Sequence, residues 1–373
     1  MPRHTTPVRQ LGSGRWQVRY RDPSGAQRKE TFVTSREAHD RLAQVQADVR
    51  RGVYVDPVDG RETFAAFAAR WAAGRDWKAT SREGWPNVYR RVDSHIGALP
   101  LLAIDRLCLE ALQTSLLERY ARRTVELTMS QTKSVLKAAY ATGRIGRDPT
   151  LGLAMPKVRA GERDGRVRPE DVPTRVEVLT ILDATPDRFR AAVALGVTGL
   201  RIGEVLAVTA DCLDLERRRL VVDRQLQRIA GEIVFTGPKA EKVRTVALPG
   251  AVVLELRRHL RDHQGGGVLF RGGRGALMRR DAFYDSAWRP ALVGAGLAPD
   301  RFVFHSLRHF AASSMLAEGA PITAVAGHLG DTVETIERTY AHWLRDDRDI
   351  PAAVLDRVLA GEPGPNTEAG GLF

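Results

Sequence analysis

The apolar positions of the chain change their period several times, and each change marks a different structural unit. Residues 14 to 32, "GRWQVRYRDPSGAQRKETF", alternate apolar with polar on either side of "DPSG", the pattern of two strands joined by a turn. The next stretch, "TSREAHDRLAQVQADVRRG", switches to helical spacing, with Thr34 or Ser35 as N-cap and Gly52 as the stop. A small sheet plus one helix is therefore predicted, ending near Pro57. From Thr63 to about Tyr140 the pattern is helical with almost no strand composition, in "TFAAFAARWAA", "PLLAIDRLCLEALQTSLLERYA" and "TVELTMSQTKSVLKAAYATG". Residues 156 to 173, "PKVRAGERDGRVRPEDVP", mix Pro, Gly and charge without a period, which predicts an exposed linker. Beyond it, "RVEVLTILDAT", "DRFRAAVALGVTG" and "RIGEVLAV" read as helices. Three strand-like runs follow, "RLVVDRQL", "EIVFTG" and "RTVALP", before the pattern returns to helix, so this part is α+β. The tail "GEPGPNTEAGGLF" is expected to be disordered.

Composition narrows the class. A chain of 373 residues with 43% hydrophobic content can bury more than one core. No window approaches the roughly 18 uninterrupted apolar residues of a membrane span, and "MPRHTTPVRQ" has no apolar run of a signal peptide, so a cytosolic protein is expected. The two cysteines, Cys108 and Cys212, lack a CxxC partner, which argues against a disulfide framework or a Cys-rich zinc site. Lys plus Arg outnumber Asp plus Glu 57 to 45, for a net charge of +12. Half of that excess lies in residues 121 to 170, with 11 basic and 5 acidic side chains. Nucleic acid leads the candidate partners, although such a run can equally be a solvated face.

Four constellations could carry chemistry. In "FHSLRHFAASSML", residues 304 to 316, helical spacing puts His305, Arg308 and His309 on one face while Leu307 and Phe310 lie on another. Three readings of that cluster compete. It could be a zinc pair like that of HExxH, though Ser306 stands where Glu would and Arg308 separates the histidines. It could be a pair bracing the helix, or a clamp in which Arg and His donate to phosphate oxygens. In "VTGLRIGEVLAV", Arg201 falls in the first turn of a helix and Glu204 three residues on, either as a surface pair worth at most about 0.5 kcal/mol or as functional groups. "TGPKAEKVRTVAL" sets Lys239 and Lys242 on a turn between strands, where lysines are common as solubility features. "AGHLGDTVETIERTYAHW" carries His328, Asp331 and Tyr340 on an amphipathic stretch where most tyrosines merely pack.

The order of the pieces is more informative than any one of them. An Arg at a helix start with Glu three later, a Lys on a β-turn, HxLRH, "HLGD" and then TYxH, running from 201 to 342, resemble the tyrosine recombinase or phage integrase family. "GVLFRGGRGALMRRDAFYDSAWRPALVGAGL" is similar to that family's strand and helix ahead of HxLRH. The first 155 residues match by pattern rather than by sharp motif. The resemblance implies an α+β multidomain fold. Its parts would be a small N-terminal sheet-plus-helix, arm-type DNA-binding module (1–57), an all-helical core-binding, SAM-like domain (61–155), and the linker (156–173). A mainly helical catalytic domain with a small three-stranded antiparallel sheet (174–355) and the tail (356–373) would complete it.

Carried residue by residue, the resemblance implies that Arg201 and Arg308 grip the non-bridging oxygens of a scissile phosphate with His305 beside them, and that Tyr340 is the nucleophile. Lys239, rather than Lys242, would protonate the leaving 5′ oxygen, and Glu204 would support the geometry. His309 matches the motif and is read as structural. Tyr284, the reserve nucleophile, matches a packing position. The chain departs from the family in one place: the usual LGH reads "LGD", so Asp331 stands in the second histidine's slot, and His328 one turn earlier either replaces it or packs. The implied partners are double-stranded DNA attachment sites, a homotetramer on paired sites and directionality or DNA-bending accessory proteins. No cofactor and no metal are implied. The rival readings are a DNA-binding protein of this fold that has lost catalysis, which Asp331 favours, and a metal hydrolase using His305 and His309. Trp16 and Tyr20 are read as sheet packing rather than base stacking.

Overall fold

A computed structural model of the chain describes residues 7–23, 25–52, 54–56, 61–158, 167–237, 243–262, 267–340 and 360. It divides into two compact units, Met1–Gly165 and Arg166–Phe373. Among the described residues no helix is long and apolar enough to cross a membrane.

The first unit opens with antiparallel strands β1 (Val8–Gln10), β2 (Trp16–Arg21) and β3 (Gln27–Phe32), in the order β1-β2-β3. The alternation of β2 turns Val18 and Tyr20 inward, where Val8 and, from α1 (Ser35–Arg51), Ala38 and Val45 close a small core. Trp16 packs against the same core, and the Tyr20 hydroxyl donates to Glu30 at 2.5 Å, so both aromatics serve the sheet. Thr34 caps α1 in a reciprocal box with Glu37, and Gly52 ends it in the left-handed conformation at φ 69°.

Four helices follow: α2 (Phe64–Ala73), α3 (Ala79–Val92), α4 (Arg106–Arg119) and α5 (Arg122–Ala141), around Phe64, Leu109, Leu116, Met129 and Leu136. The hydrophobic pattern does not single out α3, which carries Pro86 in its interior. A proline there costs about 3 kcal/mol. Trp85 of α3 meets Trp71 and Trp77 with ring centroids 5.4 and 5.7 Å apart and Tyr89 one turn on at 6.2 Å, and such contacts at about 0.5–1.5 kcal/mol each offset much of that cost. The basic stretch 121–170 is not all free surface. Arg122 is buried and donates to the Pro156 carbonyl at 2.9 Å, and Lys133 donates to that of Leu153.

The second unit begins with Val167, which lies within the stretch read as a linker yet is buried beside Leu316 and Ile336. Helices α6 (Arg175–Ala184), α7 (Asp187–Val197) and α8 (Ile202–Leu206) precede strands β4 (Leu213–Asp214), β5 (Arg219–Val222), β6 (Gln225–Ile229), β7 (Glu232–Thr236) and β8 (Arg244–Ala247). The expected three-stranded antiparallel sheet is present, but as β4-β5-β8, with β6 and β7 forming a separate hairpin. "RLVVDRQL" breaks in two because its in–out phase slips. Leu220 and Val222 point inward two apart, whereas Gln225 and Leu226 are buried consecutively, and between them Arg224 forks onto both oxygens of Asp223 at 2.7 Å.

Helices α9 (Gly250–Asp262), α10 (Arg280–Phe283), α11 (Arg289–Gly294), α12 (Ser306–Ala317), α13 (Ile322–Leu329) and α14 (Val333–Tyr340) complete the unit, with a π turn at Tyr284–Trp288 joining α10 to α11. The main core gathers Phe189, Phe270, Phe283, Trp288 and Phe304, and the Trp288 indole donates to the Phe302 carbonyl at 2.8 Å. A smaller core of Ala312, Leu316, Val325, Leu329, Ile336 and Tyr340 ties α12, α13 and α14 together.

Gly199, at the turn from α7 to α8, has φ +90°, and a Cβ there would lie 2.4 Å from Leu329 Cδ2 and 3.3 Å from Ala311 Cβ. Gly199→Ala is expected to destabilise the protein by at least about 1–3 kcal/mol through backbone strain alone, as read by urea denaturation. A variant as stable as the parent contradicts the close approach of α7, α12 and α13 at this point.

Candidate active site

Arg201 is the N-cap of α8, one position before the first turn where the sequence pattern puts it, with extended backbone at φ −72° and ψ 148°. Its amide donates to Glu204 Oε2 at 2.9 Å and its Nη1 to Glu204 Oε1 at 3.1 Å. Glu204 is not half of a surface pair: its side chain is 0% exposed. Its remaining lone pairs are taken by Arg244 of β8, Nη1 to Oε1 at 3.0 Å and Nη2 to Oε2 at 2.8 Å. Burial pushes the Glu204 carboxyl up, but the hydrogen bonds and charges of Arg244 and Arg201 outweigh it and hold the group below the usual carboxylate range. Arg244 also donates from Nε to the His328 carbonyl at 3.0 Å, joining the sheet to α13. Sequence reasoning passed over Arg244, because one arginine in "RTVALP" looks like any basic residue on a strand.

Arg308 on α12 is 2% exposed, among the largest buried side chains of the molecule. Its Nη1 donates to the Gly199 carbonyl at 2.7 Å, and its Nη2 to the Leu329 carbonyl at 2.8 Å and to Asp331 Oδ2. The other oxygen of Asp331, Oδ1, accepts from Arg201 Nη2 at 2.5 Å. Residues 201, 308 and 331, more than a hundred positions apart at the extremes, therefore meet on one carboxylate. Asp331 reaches it because Gly330 ends α13 at φ +67°, a left-handed cap that turns the chain toward the arginines.

His305, Arg308 and His309 do not project together from one face as the spacing suggests. His305 precedes α12 as its N-cap and is exposed, Arg308 is buried, and His309 turns toward α14. The two imidazoles meet edge to face with centroids 4.8 Å apart. His309 Nδ1 lies 2.7 Å from the Tyr340 hydroxyl, so the histidine read as structural touches the phenol. Tyr340 is 4% exposed, and burial raises its pKa to about 12, with Arg308 pulling down and Asp331 pushing up. Burial, then Arg308, depresses His309 to about 4, while Asp171 acts in the opposite sense. The imidazole is neutral at pH 7.

His328 spends Nε2 on the Thr198 carbonyl at 2.9 Å, and burial pushes its imidazole below the ordinary range, against that hydrogen bond. It is Asp331, not His328, that reaches the arginines. The Tyr284 hydroxyl accepts from the Phe304 amide at 3.0 Å, a packing role that leaves no case for it as the reserve nucleophile. Lys239 and Lys242 lie outside the described residues. Among the described residues no group of three or more His, Cys, Asp and Glu side chains could hold a metal ion.

Removing Glu204 leaves Arg244 buried without its carboxylate, so Glu204→Ala is expected to lower stability by about 3–5 kcal/mol in urea denaturation. His309 titrates in the opposite direction to a paired histidine. Its folded pKa, about 4, is below the ordinary 6.5, so the unfolded chain takes up the proton first and stability falls as pH drops through that window. The melting temperature is expected to decline from pH 7 to 4.5, and less so in His309→Gln. An equal decline in both assigns the acid sensitivity to other groups.

Residues 171–346 match the profile of the Phage integrase family, and residues 7–51 that of the Phage integrase, N-terminal domain. The chain is 26% identical over 377 residues to a putative prophage phiRv2 integrase of Mycobacterium tuberculosis, covering 95% of this chain and 96% of that protein. It is 28% identical over 251 residues to tyrosine recombinase XerC of Roseiflexus castenholzii, covering 63% of this chain and 73% of that one. Among solved structures, the fold is similar to a Tn1549 transposon integrase in complex with transposon right end DNA (TM-score 0.69, 18% identity, 80% and 100% of the two chains). It is also similar to a lambda integrase dimer bound to a COC′ core site (TM-score 0.56, 18% identity, 93% and 97%). The motif order, the two profiles and the fold agree: this chain belongs to the phage integrase family of tyrosine site-specific recombinases.

Proposed function

We propose that the protein cuts and rejoins DNA at specific sites through a 3′-phosphotyrosyl intermediate and so integrates or excises a mobile element. The observation that carries this reading is the convergence of Arg201 and Arg308 on the two oxygens of one anion, next to the His309–Tyr340 contact. A phosphodiester resists attack because its charge repels nucleophiles and grows in the transition state. Two arginines, each on one non-bridging oxygen, answer both difficulties.

In this scheme Tyr340 Oη forms a bond to phosphorus as the bond to the 5′ oxygen breaks. The phenol proton leaves toward the neighbouring neutral imidazole, with His305 at the open edge of the site, and the departing 5′ oxygen takes a proton from Lys239. The ester conserves the bond energy, so a 5′ hydroxyl of another strand can reverse the reaction without ATP, metal or cofactor. Glu204, with Arg244, positions Arg201, and His328 braces the turn before it at Thr198. Because Tyr340 is buried in the free protein, attack requires α14 to shift.

Residues 1–57 are assigned to arm-type sites, 61–155 to the core site and 174–355 to catalysis, with 156–173 as linker and 356–373 as tail. The basic side chains of 121–170 other than Arg122 and Lys133 are assigned to the phosphate backbone. A homotetramer on paired attachment sites follows from the need for four reacting strands, and a lambda integrase tetramer bound to a Holliday junction has this fold. DNA-bending or directionality proteins would act on the same assembly, in the cytosol.

Tyr340→Phe is expected to bind attachment-site DNA as the parent does and to form no covalent protein–DNA adduct on a nicked suicide substrate, scored by denaturing gel. An adduct formed by the Phe variant assigns the nucleophile elsewhere.

A further inference from the structure

We propose that Asp331 is the protein's own stand-in for a DNA phosphate: its carboxylate occupies the seat between Arg201 and Arg308 in the free protein, and target DNA enters by displacing it. The inference rests on the reading of the two arginines as the phosphate seat, and adds what fills that seat beforehand.

The match is chemical. An aspartate carboxylate and a phosphodiester each spread one negative charge over two terminal oxygens. Asp331 gives Oδ1 to Arg201 and Oδ2 to Arg308, one oxygen per guanidinium, as two non-bridging oxygens would bind. The same nitrogens cannot serve a second anion while it stays. Arg308 Nη2 has its other proton on the Leu329 carbonyl, Arg201 Nη2 has its other on the Gly330 carbonyl at 3.4 Å, and Arg201 Nη1 is on Glu204.

Of the two carboxylates on these arginines, Asp331 is the one that solvent reaches. Arg308 is held by two backbone carbonyls and Arg201 by the buried Glu204, whereas the Asp331 side chain is 20% exposed and follows a glycine at φ +67°. Charge favours the exchange. Arg201, Arg244 and Arg308 against Glu204 and Asp331 leave one net positive charge, so the cluster attracts an incoming anion even with the carboxylate in place. Removing the carboxylate doubles that excess. A histidine in this slot would leave the seat without an internal anion, which makes the "LGD" departure a functional difference and not a lost catalytic group.

The alternative is that Asp331 is a brace holding the arginines in place, and the two roles predict opposite signs. The full-length protein and its Asp331→Asn and Asp331→Ser variants are titrated with inorganic phosphate by calorimetry, and cleavage of a nicked suicide substrate is followed for KM and kcat. As a displaceable occupant, Asp331 competes with phosphate. Both variants should then bind phosphate about tenfold more tightly or better, and show a lower KM for DNA with kcat held within about threefold. Their melting temperature should fall in phosphate-free buffer and recover on adding phosphate. Equal or weaker phosphate binding, or a kcat loss with unchanged KM, overturns the proposal and makes Asp331 a brace. If Asp331→Asn fails to fold, the Ser variant decides on the same readouts. Adding Arg201→Ala to Asp331→Asn separates the two levels of inference. Loss of the gained phosphate affinity supports both, whereas its retention locates the anion elsewhere and removes the phosphate-seat reading itself.

Discussion

The second unit is organised around one buried guanidinium. Arg308 lies in the interior at 2% exposure, where an unpaired charge would cost several kcal/mol, so the fold must bring acceptors to it. It does so with the carbonyl of Gly199 at the α7–α8 turn, the carbonyl of Leu329 at the end of α13, and the carboxylate of Asp331 just beyond. Those acceptors come from segments about 130 residues apart, and the two carbonyls cannot move far without stranding the charge. The left-handed glycines at 199 and 330 are consequences of the same demand, since both backbones approach too closely to carry a Cβ without displacing Leu329 or Arg244.

A second pairing rests on the first. Glu204, fully buried, neutralises Arg244 and fixes Arg201, and Arg201 completes the ring by meeting Asp331. The result adds charge-assisted hydrogen bonds to the apolar contacts that link α8, β8, α12 and α13. Ion pairs of this kind add little net stability compared with an apolar core, but they specify geometry, since every lone pair has one best partner. That suits the proposed phosphate seat, which needs two guanidinium groups at fixed separation. The proposed nucleophile is held differently. Tyr340 is the last described residue of α14, anchored by Ile336 and its own ring in the smaller core and by His309 at its hydroxyl.

Much of the fold was legible because each signal had a local cause. The capping box of Thr34 and Glu37, the stop at Gly52, the alternation of Val18 and Tyr20, and the helix positions in 175–197 all follow from interactions within a few residues. The failures are of another kind. Pro86 argues against a helix locally, and the packing of Trp85 on Trp71 and Trp77, outside α3, overrides it. The break of "RLVVDRQL" at Asp223 depends on which neighbour each half pairs with, β8 for one and β7 for the other.

The chain alone determined the inventory: which residues in which order carry guanidinium, imidazole, carboxylate and phenol, and hence the family and class of chemistry. Motif order is legible in sequence because the proposed reaction fixes each group in type. Tertiary structure decided the pairings. That Arg244 rather than solvent neutralises Glu204, that His309 rather than His305 holds the Tyr340 hydroxyl, and that Asp331 rather than His328 meets both arginines depends on distances between elements remote in sequence. No local pattern encodes those distances, because they are set by how cores pack and by where a buried charge can find its partners.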